Sequence, residues 1–393
     1  MQNGQVIDVK EIKPQRRTLD AHHSEYAKFS PAEREAKARA KLRERINVGQ
    51  KAAMVALERI QREVPADRIV RARALDFVAR GDGSIAAVLP QGERGGRLAL
   101  GLHKHARSQL AQRVGLPIKF MNEMLAEGAW GQDLVAHNLA KLAGNGTDEK
   151  LLVRAVGDEV RGVLSSSYRT DDSRPALDSL LEFAREVNAV VVQGHALDTR
   201  VSFKIMKGEP VEIFPGEWAI IGLDYRTSDY GNGARELLGW IERLLCLNGC
   251  VVTTNFRRVH LGGRIESDVD FSSRTKKLNE QYTRSATRDM AKALLGDGAI
   301  EKMVTLVRSA NEAALDPDAA LATLKKSVNK EEEKLIVEKY NSPDVELLPA
   351  GNTAWRFSNA ISWLAGQVED QDRRLDLERL AGQVVEDAAK KAA

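Results

Sequence analysis

Phe256, Arg257, Arg258 and His260 form the densest run of chemistry-bearing residues in the chain. In a strand, alternation puts Phe256, Arg258 and His260 on one surface, so a planar ring lies beside a guanidinium able to pair with phosphate. Single-stranded nucleic acid is held by that combination, with cations along its backbone and aromatic rings under its bases. Arg264 follows closely, and Lys204 with Lys207, Arg154 with Arg161, and Tyr168 with Arg169 could extend the set. The same residues fit a second arrangement, in which Phe256 is core and the arginines pair with Glu266, Asp268 and Asp270.

Other candidates are sparser. Asp224 and Asp229 flank a loop that also holds Arg226 and Ser228, the nearest approach to a polar pocket. Asp171-Asp172 and Glu331-Glu332-Glu333 are acid clusters without the dispersed, converging carboxylates of a two-metal site. His103 and His105 lie two apart with no carboxylate or cysteine beside them, so metal ligation is not expected. Cys246 and Cys250 are the only cysteines; they read as buried free thiols in a reducing compartment. No phosphate-binding loop of the G-x-x-x-x-G-K-S/T type is present, nor H-E-x-x-H, C-x-x-C or G-x-S-x-G. No cofactor, metal or catalytic residue is assigned.

With 393 residues, 43% of them hydrophobic, the chain can bury a large core in two or three domains. No apolar run is long enough to span a bilayer, and the first residues lack the apolar stretch of a secretory leader, so a membrane protein is not expected. The formal charge of +3 is unevenly spread. The first sixty-odd residues and the segment from Arg257 to Lys292 are basic, while the last hundred lean acidic. That asymmetry permits a polyanion on one side of the molecule, and solvated helix faces would give it equally well.

The elements that must position these residues follow from periodicity. Residues 1 to about 30 read as a mobile basic arm. Ser30-Pro31 with Glu33 starts a helix running to about Glu63, whose first half is charged on all sides and should be only loosely held. Strands are expected in a hairpin around Gly81-Asp82-Gly83, a pair around Gly157-Asp158, and at 190–192, 200–206 and 218–224. Leu98 to Trp130 reads as mostly helical, with a second helix opening at Pro117, and Pro175 starts another helix. Leu237, Leu238, Ile241, Leu244 and Leu245 recur at helical spacing, so a central helix is expected there, capped by Asn248-Gly249 and handing over to a strand from Val251. From Ser272 onward the pattern is helical. Near the end, Trp355, Asn359, Ser362 and Trp363 fall on one helical stripe, which places Asn359 in the interior with hydrogen bonds to the core near Asn248-Gly249.

The phrases S-S-S-Y-R (165–169), S-D-Y-G (228–231), R-L-L-C-L-N-G-C (243–250), R-R-V-H-L-G-G-R (257–264) and W-R-F-S-N-A-I-S (355–362) occur in this order. Together they resemble a family of phage- and plasmid-encoded proteins that carry a domain of unknown function. The resemblance covers about Lys150 to Gly382. This chain departs from it at Cys250, where Met is usual, and in a central segment more helical in pattern than the family's strand-like version. The resemblance implies a mobile-element protein of the bacterial cytoplasm and assigns no activity.

The expected fold is α+β: a largely antiparallel sheet with packed helices, a basic N-terminal arm and helix (1–64), an α/β core (65–270) and a helical C-terminal region (271–393). Two functions fit. The first is a single-stranded DNA-binding protein of phage recombination or replication, annealing without ATP as a homo-oligomer. The second is a host-directed, anti-defence interaction protein whose basic patch meets an acidic partner. An enzyme built on the Asp224–Asp229 loop ranks third.

Overall fold

The computed structural model describes residues 30–91, 96–145, 149–166, 168, 172–207, 209–215, 217–244, 249–252, 272–324, 326–342, 348–349 and 351–392. The expected N-terminal arm lies outside them. The first helix, α1 (Pro31–Arg62), starts as expected, with a capping box in which Ser30 and Glu33 satisfy each other's backbone N–H groups. Four strands follow, β1 (Ala66–Arg71), β2 (Asp76–Ala79), β3 (Ile85–Gln91) and β4 (Gly96–Leu102), then helices α2 (Lys104–Val114), α3 (Ile118–Ala126) and α4 (Ala129–Gly144). The stretch from Leu98 therefore begins as a strand, and helix takes over only at Lys104. Strands β5 (Lys150–Val156) and β6 (Glu159–Ser165) close this unit as the expected hairpin around Gly157.

These six strands form one sheet in the order β1-β5-β6-β4-β3-β2. Its two edge strands, β1 and β2, are joined by a single 3₁₀ turn at Ala72–Ala74. A flat six-stranded sheet would be about 24 Å across, more than the roughly 18 Å that the Arg71–Asp76 segment could span even fully extended. The sheet must therefore curl. The sheet has one parallel pairing among the described residues, at β4–β6, where only Gly101–Leu102 lies against Glu159–Val160. Its concave side encloses Leu89, Leu100, Val153 and Val160 with Leu110, Met121 and Leu139 of the three helices.

The rest of the chain builds a second sheet. Helix α5 (Ser173–Glu186) leads into β7 (Ala189–Ala196), β8 (Val201–Lys207), β9 (Val211–Phe214), β10 (Glu217–Thr227), β11 (Glu236–Arg243) and β12 (Gly249–Val252). All pair antiparallel, in the order β12-β11-β10-β8-β7, with β9 alongside β10. Helices α6 (Ser273–Leu294), α7 (Asp297–Glu312), α8 (Pro317–Leu324), α9 (Lys330–Asn341), α10 (Ala354–Gln367) and α11 (Gln371–Ala392) complete the described chain. The α+β class and the antiparallel pairing hold, distributed over two sheets.

The expected central helix at 237–245 is strand β11. The physical reason is burial on both faces: every residue from Glu236 to Arg243 is buried. Leu237 joins the apolar cluster on one side, while Leu238 and Trp240 join the cluster on the other. A strand with two apolar faces loses its period-2 signature, and its leucines then fit a helical template by coincidence.

The α1 helix is also held more firmly than its charged sequence suggests. It crosses edge strand β7, with Ala38 and Leu42 in the cluster on one side of the sheet and Ala53 and Ala56 in the cluster on the other. At the crossing, a Cβ on Gly49 would lie 1.7 Å from the Val192 carbonyl oxygen, so only glycine permits the approach. Alanine and one glycine do the packing that a leucine stripe usually does, which hid the buried face from a hydrophobicity reading.

Candidate functional site

The basic run Phe256, Arg257, Arg258, His260 and Arg264, together with Arg169, lies outside the described residues. Its two ends do not. The β12 strand is an edge of the second sheet and leads into the run, and α6 leads out of it. From Ser273 to Tyr282 every described α6 side chain is exposed except the half-buried Asn279. This stretch carries Arg274 and Lys277, with Leu278 and Tyr282 55% and 49% exposed one turn apart. Beyond it the helix docks, with Ala291 and Leu294 fully buried.

The docked half runs beside α5. Arg284 reaches Glu182 at 3.3 Å and Arg288 reaches Glu186 at 2.9 Å. A step of four residues along one helix matches a step of four, in the same direction, along the other. The two helices are therefore parallel, and their N-termini point the same way. Two partially positive helix ends then lie side by side, an arrangement that attracts anions.

At the N-terminus of α5 lies a cleft of ≈ 180 Å³. Five segments converge on it: the end of α1, the start of α5, strand β6, the β7–β8 turn and the β10–β11 loop. Arg161 on β6 donates to Glu63 at 2.6 Å, and Arg59 donates to Glu63 at 3.0 Å. Asp229 accepts from the Ser173 backbone N–H at 2.6 Å and from its hydroxyl at 2.9 Å, pinning the first turn of α5 to the β10–β11 loop. Burial and the nearby Asp172 carboxylate push the Asp229 acid up to about 6, against the opposing hydrogen bonds from Ser173 and the charge of Arg154. Arg154 binds Asp67 at 2.7 Å, Asp172 at 2.6 Å and the Asp229 carbonyl at 2.5 Å, so it ties the two sheets together. Burial opposes its charge, but Asp172 and Asp67 more than offset this and its pKa rises.

Several expected site residues are therefore interior. Lys204 is 1% exposed and donates to Glu378 of α11 at 2.7 Å. It is not a surface cation: its β8 position faces α11, and the sequence gives no sign of that. Arg154 and Arg161 are buried in the ion pairs just described. Tyr168 is half-buried and donates its backbone N–H to Ser165 at 2.8 Å. Asp224 is fully buried, accepting from Ser202 at 3.0 Å and from Arg226 at 2.7 Å, so it does not share a pocket wall with Asp229. The His103 Nδ1 accepts from the His105 N–H at 3.2 Å, and His105 Nε2 lies 3.1 Å from the Tyr230 carbonyl. No group of three metal-ligating side chains occurs among the described residues. Cys250 is a buried free thiol, pushed up to about 12 by burial.

Asn359 is buried as expected, and its Nδ2 donates to the Trp355 carbonyl at 2.8 Å, one turn back in α10; Asn248, near which its bonds to the core are expected, lies outside the described residues. The neighbouring Arg356 also ties α10 down. Fully buried, it donates to the carbonyls of Tyr340 at 2.8 Å, Pro349 at 2.5 Å and Ser342 at 2.5 Å.

Sequence reading missed Arg274, Lys277 and Tyr282, and it passed over Asp172 and Tyr230 as loop residues. The available signal was the weak apolar pattern at the start of α6, which offers no stripe to bury. No family model matches this chain, and no curated protein or solved structure matches it either.

Proposed function

We propose that this protein binds single-stranded DNA, with the basic run 256–264 and the outer half of α6 forming the contact. The observation that carries the reading is the exposed stretch Ser273–Tyr282, which presents Arg274, Lys277 and an aromatic ring next to that run. Cations for the phosphates and a ring for a base are what a single strand needs. The parallel N-termini of α5 and α6 add positive potential at the same place. Interior cations are neutralised by interior carboxylates, so they do not compete for the role. Among the described residues no helix is long and apolar enough to cross a membrane.

With no nucleotide-binding loop in the sequence, the protein would act without ATP, as an annealing or recombination protein working as a homo-oligomer. A resemblance to phage and plasmid proteins would put such work in the bacterial cytoplasm. The test is fluorescence anisotropy with a labelled oligothymidine at several salt concentrations. Binding should weaken steeply with salt, because each neutralised phosphate releases counterions. Joint replacement of Arg257 and Arg258 by alanine should flatten that dependence in a protein that still folds. Salt-independent or absent binding would overturn the reading and favour an acidic protein partner for the same basic surface.

A further inference from the structure

The cleft at the start of α5 has a use beyond holding the two sheets together. Its walls are mostly apolar, with Ile60, Val64, Pro175, Leu197 and Val201 among them. Polar groups sit at fixed places in those walls. Arg161 comes from β6, Tyr230 from the β10–β11 loop, and Asp172 from the turn before α5. The Asp172 carboxylate is 46% exposed, and Arg154 occupies its Oδ1, which leaves Oδ2 as an acceptor. Arg174 at the mouth is 54% exposed at the positive end of a 14-residue helix. An apolar cavity of about 150 Å³ accepts a benzene ring, so a cleft of ≈ 180 Å³ has room for one planar heterocycle and little else.

We propose that this cleft takes a single unstacked nucleobase from the bound strand. The inference rests on the single-strand reading and sharpens it. The ring would slide between the aliphatic walls, a base N–H would donate to Asp172, and the adjoining phosphate would meet Arg174 and the α5 N-terminus. Because α5 and α6 are parallel, the cleft and the exposed half of α6 lie toward the same end of the helix pair. A strand crossing α6 could thus drop one base into the slot. A paired base cannot turn out of its stack without a cost, which makes the slot a selector for unpaired strands.

The probe is a labelled oligothymidine compared with an oligonucleotide of the same length built only from abasic units. Wild type should bind the normal strand more tightly by well over tenfold, about tenfold of it from the one base in the slot. Val64→Trp fills the mouth from a position that is 59% exposed, so the core is untouched. It should cut the preference for the normal strand by about tenfold, to what stacking on the exposed rings supplies, and leave the salt dependence unchanged. Val64→Ser, which leaves the mouth open, should behave as wild type. If folded Val64→Trp keeps the full wild-type preference, the slot is not used and the inference fails while the single-strand reading stands. If wild type binds neither strand, the single-strand reading itself fails. Tighter binding of free thymidine monophosphate than of the oligonucleotide would also overturn the inference, since the cleft would then serve a free nucleotide.

Discussion

Two sets of cations in this chain look alike in sequence and differ completely in circumstance. Lys204, Arg226, Arg45 and Arg243 sit on or against the second sheet. Lys204 and Arg226 share Glu378, Arg45 meets Glu242 at 2.7 Å, and Arg243 meets Glu217 with both side chains fully buried. Arg274 and Lys277 are exposed in the first two turns of α6. A buried cation is bound to its carboxylate because neither can return to solvent while the fold persists. An exposed cation gains little from any one protein partner and stays available to phosphate. Charge counted along the chain does not measure charge available for binding.

Breaking the interior set should have the largest effect. Arg243→Leu strands the Glu217 carboxylate in the core and should cost about 3–5 kcal/mol, read by denaturant unfolding. Adding Glu217→Leu should recover much of that loss. A single variant as stable as wild type would show that the interior pair is solvated after all, and the contrast between the two sets would collapse.

Asp229 tests the boundary between interior and cleft through pH. Its folded pKa of about 6 lies above the ordinary carboxylate value of 3.8, so its ionised form is disfavoured by folding. The stability it contributes is fully present below about pH 4, falls as pH rises towards 6, and is flat above. The loss is on the order of 2–3 kcal/mol. Asp229→Asn does not titrate, so its melting temperature relative to wild type should climb between pH 4 and 6 and then level off. A difference that stays constant with pH would place this carboxylate in water.

Gly49→Ala is expected to cost about 1–3 kcal/mol, the usual range for overpacking. The added methyl pushes α1 off β7 and draws Arg45 away from Glu242, the Val192 carbonyl and Gln193. Thermal unfolding reads the loss, and an unchanged midpoint would mean that α1 can slide without disturbing the interior set.

Joint replacement of Arg274 and Lys277 by serine gives the smallest stability effect, within about 0.5 kcal/mol. Its consequence should appear in binding instead: the slope of log affinity against log salt should shrink by about 0.7 for each lost phosphate contact with a single strand. An unchanged slope would remove the outer half of α6 from the proposed interface.

The sequence by itself determined the local elements whose signals are local. Ser30 and Glu33 cap α1, glycines turn the hairpins at 81–83 and 157, prolines open helices, and the run of helices after Ser272 follows from periodicity. It also determined the α+β class, because clustered β-rich runs precede a helical end. Only the tertiary structure decided the rest. Glu236–Arg243 is a strand because strands on either side of it and helices on both faces bury it completely, which erases the alternation that would have announced it. Lys204 and Arg154 are interior because carboxylates 174 and 87 residues away in the chain meet them there. Arg274 and Lys277 are exterior on a helix that buries no described side chain before Thr283. Burial is a property of what the whole chain brings to a place, and no window of sequence contains it.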